Sequence, residues 1–201
     1  MNDLRVALTF DAEHPSRPGN DRGAEVAILD AMAAGAARGT FFLQGRWASA
    51  YPELAGRMAR DGHLIGSHSH YHAPLPLLSS EGLRFDLEEA ERRIKDATGI
   101  DPKPWFRFPF GDGADDAGVL DALEAAGYRN VGWNVDSEDW REEASPPSVR
   151  DAVVEGALQR EDAVVVLFHT WSAATAAALP SILEDLQAHG ASFLSAAELA
   201  S

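Results

Sequence analysis

The apolar run "VALTF" (6–10) ends in Asp11, Ala12, Glu13 and His14. Along an extended chain successive side chains alternate, so Asp11 and Glu13 share one side and Ala12 takes the other. Two neighbouring carboxylates can divide a hydrolytic task, one holding a divalent cation and the other acting as base on its water. Acids after a strand also occur as solvated loops or helix caps, so the pair takes its meaning from what else reaches the same place.

His68 and His72 in "SHSHYH" (67–72) are the first such groups. A helical turn there would aim residues four apart the same way, and two imidazoles on one face chelate a metal. Ordinary polar surface is the alternative. On such a helical turn His70 would point away from the other two, and neither it nor the nearby His63 is assigned a role. A divalent ion needs a third ligand, usually oxygen, and an open position; the acids of "DAEH" can supply the ligand. Arg107 follows "WF", and Pro109 stiffens the turn after it. Beside a carboxylate its guanidinium would keep a general base ionised, or make a purely structural ion pair. His169 closes "AVVVLF" (163–168), and Asp139 in "DSEDW" (136–140) is its candidate partner. A carboxylate raises an imidazole's pKa and fixes its tautomer, which suits a general acid. Trp140 either walls an apolar pocket or packs in a core.

The elements that must position these groups read as strands at 5–10, 39–44, 63–68, 105–109, 128–135, 162–169 and 191–195. Helical patterns occupy 22–37, 79–99 and 146–159, and the alanine-rich "AATAAA" reads as helix. Seven strands alternating with helices imply parallel strands and crossover helices, in an open doubly wound sheet or a barrel. No glycine-rich phosphate loop follows the first strand, so a nucleotide-binding sheet has no support. Polar clusters follow five of the runs: "DAEH", "SHSHYH", "RFPFGDG", "DSEDW" and "LFHTW". Residues converging from many strand ends describe a barrel mouth.

Length and composition bound the rest. The 201 residues, 45% hydrophobic, suit one domain over 1–201. Zero cysteines exclude disulfides and thiolate metal sites. A net charge of −15 argues against nucleic acid or an anionic membrane surface as partner, and no apolar run is long enough to span a bilayer. The first strand begins by about Arg5, which leaves no room for a leader, so the expected location is cytoplasmic.

In order and spacing, "TFDAE", "HSHYH", "RFPFG", "DSEDW" and "LFH" resemble the motifs of the polysaccharide deacetylase family, the NodB-type carbohydrate esterases. The resemblance spans residues 9–169 and implies a deformed (β/α) barrel of about seven parallel strands with outer helices. It also implies one divalent metal, zinc first, with cobalt, nickel, iron or manganese as alternatives. By position Asp11 resembles the base, His68 and His72 the metal ligands, and Arg107 the residue that positions the base. Asp139 and His169 resemble the tuned acid pair, Trp140 and Leu167 the walls of an acetyl pocket. Phe110 carries the backbone N–H that resembles the oxyanion donor.

One motif departs from the pattern. The family's common layout places a metal-binding Asp directly after the base, where this chain has Ala12. Glu13 fits a D-x-E layout seen in some branches and is the expected third ligand. The implied activity is hydrolysis of a non-peptide C–N bond, N-deacetylation of an amino sugar or glycan, on a small-molecule or oligosaccharide substrate. The alternatives are an O-acetyl esterase acting on xylan-like glycans, a small-amide hydrolase, or a metal-free binding barrel. A two-histidine, one-carboxylate iron oxygenase gains nothing from the parallel αβ alternation.

Overall fold

The computed structural model describes residues 4–16, 23–160 and 163–199. Arg22 and Asp162, at the ends of a predicted helix and a predicted strand, lie outside the described residues. The strands are β1 (Leu4–Ala12), β2 (Thr40–Leu43), β3 (Leu64–Ser67), β4 (Trp105–Phe106), β5 (Arg129–Asn130), β6 (Val135–Asp136), β7 (Val164–His169) and β8 (Ala191–Phe193). All pairings are parallel, in the order β5-β4-β3-β2-β1-β7-β6, with β8 paired to the start of β1. The helices are α1 (Gly23–Ala34), α2 (Gly45–Ala50), α3 (Pro52–Arg60), α4 (Ser80–Thr98), α5 (Ala117–Ala125), α6 (Pro146–Leu158), α7 (Ala173–Ala188) and α8 (Ala196–Leu199). The deformed parallel barrel with outer helices is therefore as expected.

The expected strand over 128–135 is instead two strands at opposite ends of that order, β5 and β6. Residues 131–134 carry the chain from one edge to the other, so β5 and β6 do not pair with each other. Side chains do the pairing that strands would have done. Arg107 Nε and Nη2 donate to the carbonyls of Val131 and Gly132 at 3.0 and 3.1 Å. The Asn134 amide accepts from Val165 N at 2.8 Å and donates to Ala163 O at 2.9 Å. Backbone groups that lose a ladder need such partners.

Alternation in β1 separates two environments. Val6, Leu8, Phe10 and Ala12 belong to the main core against the helices. Thr9 instead donates to Val166 O on the adjacent β7, and Asp11 meets Arg107 across the barrel. Phe10 stacks between its register partners Phe41 and Phe168, with ring centroids 4.8 and 5.1 Å apart. That ladder pins the register, and a one-residue slip would turn Asp11 toward the helices. Gly66 makes room inside the barrel: a Cβ there would meet the Phe42 ring at 2.6 Å, and Phe42 lies 4.4 Å beneath the Arg107 guanidinium.

Helix ends follow local chemistry. Ser79 caps α4, which closes on Gly99 in the left-handed region (φ 73°). Ser145 and Ser148 form a capping box that spans the two prolines opening α6. Ser172 caps α7 immediately beyond β7.

Candidate active site

The mouth of the barrel holds a cleft of about 430 Å³ lined by Asp11, Glu13, His68, His72, His169 and a set of aromatic rings. β1 stays extended through Ala12, so Asp11 and Glu13 both reach the cleft while Ala12 is fully buried in the core. Among the described residues Glu13, His68 and His72 form a group of metal-ligating side chains, their donor atoms within 4.8 Å of one another. His68 Nε2 lies 3.3 Å from Glu13 Oε2 and 3.1 Å from His72 Nε2, and His72 Nε2 touches the same carboxylate oxygen.

The backbone that presents the two histidines differs from the expected helical turn. Residues 68–74 form a loop in which Ser69 (φ 62°) and His72 (φ 56°) adopt left-handed conformations. Those conformations cost energy in non-glycine residues and need outside support. It comes from Asp86 on α4, a buried carboxylate that accepts from His70 N at 2.8 Å and Tyr71 N at 2.9 Å. Ser69 Oγ accepts from His72 N at 2.8 Å. His70 turns away as expected, its ring packed where a Cβ on Gly45 would meet Nδ1 at 2.5 Å. His63 Nδ1 accepts from Gly39 N at 3.1 Å, a structural role, and burial pushes its pKa down to about 4.

The donor set fits a divalent cation on its own chemistry. His68 Nδ1 donates to the Arg107 carbonyl at 2.9 Å, which leaves the Nε2 lone pair facing the cluster. Burial pushes the His68 pKa down, but Asp11 and Glu13 outweigh it and raise it, so the centre attracts positive charge. Burial would raise the Glu13 carboxyl, yet its bonds to His14, His68 and His72 hold it well below the usual range, as a carboxylate. Burial lowers the His72 pKa and so favours its neutral, ligating form.

Asp11 lies against this cluster, Oδ2 3.5 Å from His68 Nε2, and its Oδ1 accepts from Arg107 Nη1 at 3.1 Å. Asp11 and His169 are register partners on adjacent strands. His169 Nδ1 donates to Asp139 Oδ1 at 2.7 Å, and His169 N donates to Asp139 Oδ2 at 2.8 Å. Burial would push the imidazole down; Asp139 first, then Glu13 and Asp11, outweigh it and hold it at about 9. Thr175 Oγ1, in the first turn of α7, also donates to Asp139 Oδ2, at 2.5 Å. Phe110 sits on the cleft with its backbone at φ 59°, and its ring is 4.5 Å from His72. Among the described residues its N–H has no acceptor. Leu167 is buried behind the cleft, and Trp140 stands half exposed at the rim.

Of the residues expected at the site, Asp11, Glu13, His68, His72, Phe110, Trp140, Leu167 and His169 line the cleft, while Arg107 and Asp139 lie buried behind it, bonded to Asp11 and His169. Sequence reading missed Trp133, Trp171 and Phe108 as walls, and Asp86 and Thr175 as supports. Trp171 lies two residues after His169 in "LFHTW", a signal that was available; Asp86, in mid-helix, offered none.

Residues 1–131 match the family model described as Polysaccharide deacetylase. The chain belongs to the polysaccharide deacetylase family. The model stops short of Asp139 and His169, but relatives align further. The peptidoglycan-N-acetylmuramic acid deacetylase PdaA of Bacillus subtilis is 28% identical over 196 residues, 96% of this chain and 70% of that protein. A chitooligosaccharide deacetylase of Azorhizobium caulinodans is 28% identical, covering 94% of this chain and 91% of that one. The family 4 carbohydrate esterase of Streptomyces lividans, solved with acetate, superposes with TM-score 0.80 and 28% identity over 94% of this chain and 90% of that one. Wild-type BA3943 of Bacillus anthracis, described as a pseudoenzyme of the same family, gives TM-score 0.86 and 26% identity over 100% of this chain and 66% of that one. This deacetylase-family chain therefore has both catalytic and non-catalytic structural relatives. Among its described residues, no helix is long and apolar enough to cross a membrane.

Proposed function

We propose that this member of the family is a metal-dependent hydrolase that removes the N-acetyl group from amino-sugar residues of an oligosaccharide or polysaccharide. One observation carries the reading: Glu13, His68 and His72 converge beside an Arg107-held Asp11, with the Asp139–His169 pair on the adjacent strand. Relatives named as deacetylases of peptidoglycan and chitooligosaccharides support the substrate class. The aromatic rings around the cleft suit the apolar face of a sugar and a methyl group.

Glu13, His68 and His72 would hold the ion, zinc being the favoured candidate for a set of two imidazoles and one carboxylate. A bound divalent ion supplies Lewis acidity and a water of lowered pKa. Asp11, oriented by Arg107, takes the proton from the attacking water. The free Phe110 N–H donates to the substrate carbonyl oxygen as negative charge builds there. His169 gives its Nε2 proton to the departing amine, and Asp139 holds the imidazolium in orientation. Leu167, Trp140 and the unassigned Trp133 enclose the acetyl methyl.

The test is deacetylation of chitooligosaccharides and peptidoglycan fragments by zinc-loaded protein, against Asp11→Asn. Activity in wild type with a loss of about 10²-fold or more in the variant is expected. Equal rates would overturn the assignment of the base. An esterase would be exposed by His169→Ala, because an alkoxide leaves with less acid help than an amine. Loss on N-acetyl substrates with retention on acetylated xylan would favour the ester.

A further inference from the structure

Glu13 has one more rotatable bond than an aspartate, so a cation bound there depends on what keeps its carboxylate still. One oxygen, Oε2, faces His68 and His72. The other, Oε1, meets two groups outside that ligand set. Trp171 Nε1 donates to it at 3.3 Å, and His14 Nε2 lies 3.2 Å from it. Both holders are themselves held. The Trp171 indole lies against the His169 ring, centroids 5.1 Å apart. His14 N donates to Gln44 Oε1 at 3.0 Å, the His14 ring packs edge-on to His72 at 4.6 Å, and its backbone is left-handed at φ 53°. Ala12 cannot contribute a ligand from its place in the core, so the third ligand rests on this outer hold.

We infer that His14 and Trp171 are positioning residues for the D-x-E form of the site, clamping Glu13 by Oε1 so that Oε2 alone is offered to the cation. The inference rests on the metal-dependent reading above. Because the Trp171 ring also abuts His169, the clamp joins the metal ligand to the acid through one side chain.

The experiment is zinc titration of chelator-stripped protein in competition with a chromophoric chelator, comparing wild type, Trp171→Phe, His14→Ala and Glu13→Ala. Outer-sphere partners of this kind set affinity by roughly 10- to 100-fold, so Trp171→Phe and His14→Ala should each weaken zinc by about 10-fold or more. The metal-free melting temperature of each should stay within about 3 °C of wild type, which a general packing defect would not allow. The cobalt(II) visible spectrum of Trp171→Phe should also differ from that of wild type. Wild-type zinc affinity in both variants, with affinity lost in Glu13→Ala, would overturn the clamp and leave the metal site standing. Failure of wild type itself to bind zinc or cobalt would overturn the metal-dependent reading instead. His14 is partly exposed at the rim, so His14→Ala tests the clamp even where Trp171→Phe folds poorly.

Discussion

Arg107 and Asp11 come from strands separated in the sheet by two others, yet their side chains meet inside the barrel at 3.1 Å, both buried. The same guanidinium donates to the Val131 and Gly132 carbonyls just beyond β5. The residue that orients the candidate base therefore also ties down the segment that leaves β5. Arg107→Ala strands a buried carboxylate and two carbonyls, and chemical denaturation should show a loss of about 3–5 kcal/mol. Arg107→Lys cannot reproduce the fork, and should lower kcat even where the variant remains folded.

The Asp139–His169 pair sets a pH limit. The acid is competent while His169 is protonated, so kcat should fall as pH rises through about 9. In Asp139→Asn the alkaline limb should move toward the ordinary imidazole range near ~6.5, visible in a pH–rate profile. A limb that stays in place would remove His169 from the acid role. The sign for stability is the same. A raised folded-state pKa contributes stability fully present below the unfolded value, lost as pH rises from there through about 9.

Thr175→Val removes one hydrogen bond from Asp139 and keeps the volume of the side chain. A stability loss of about 1–3 kcal/mol is expected for a buried bond to a charged group. Thr175→Ser, which keeps the hydroxyl, should recover most of the activity lost in Thr175→Val; equal kcat in the two would assign Thr175 to packing alone.

Asp86 holds the His68–His72 loop from outside the cleft. Asp86→Ala leaves the His70 and Tyr71 N–H groups unpaired and releases two strained residues. Zinc affinity should drop about 10-fold or more, together with a thermal destabilisation of several degrees. Unchanged zinc binding would show that the loop holds its shape without this support.

The Phe110 side chain and N–H can be separated. Phe110→Gly removes the ring, retains the N–H and relieves a left-handed conformation. It should raise KM more than it lowers kcat. A collapse of kcat comparable to Asp11→Asn would place the contribution in the ring.

The identities and spacings of Asp11, Glu13, His68, His72, Arg107, Asp139 and His169 were legible in the sequence alone. Strand alternation dictates which neighbours share a side, and the apolar runs mark where each strand must end. What the chain could not disclose locally was decided by tertiary contacts. The run 128–135 has the pattern of one strand, but the curl of the sheet assigns its halves to opposite edges. The His68–His72 spacing suits a helical turn, yet Asp86, fourteen residues beyond His72, draws it into a loop. Ala12 and Glu13 exchange importance only because β1 pairs with β2 through Ala12, which commits Ala12 to the core and Glu13 to the mouth. Local pattern sets which side chains are available at a strand end. Which of them meet is set by the register, the curl and the outer supports, all of which come from residues far away in the chain.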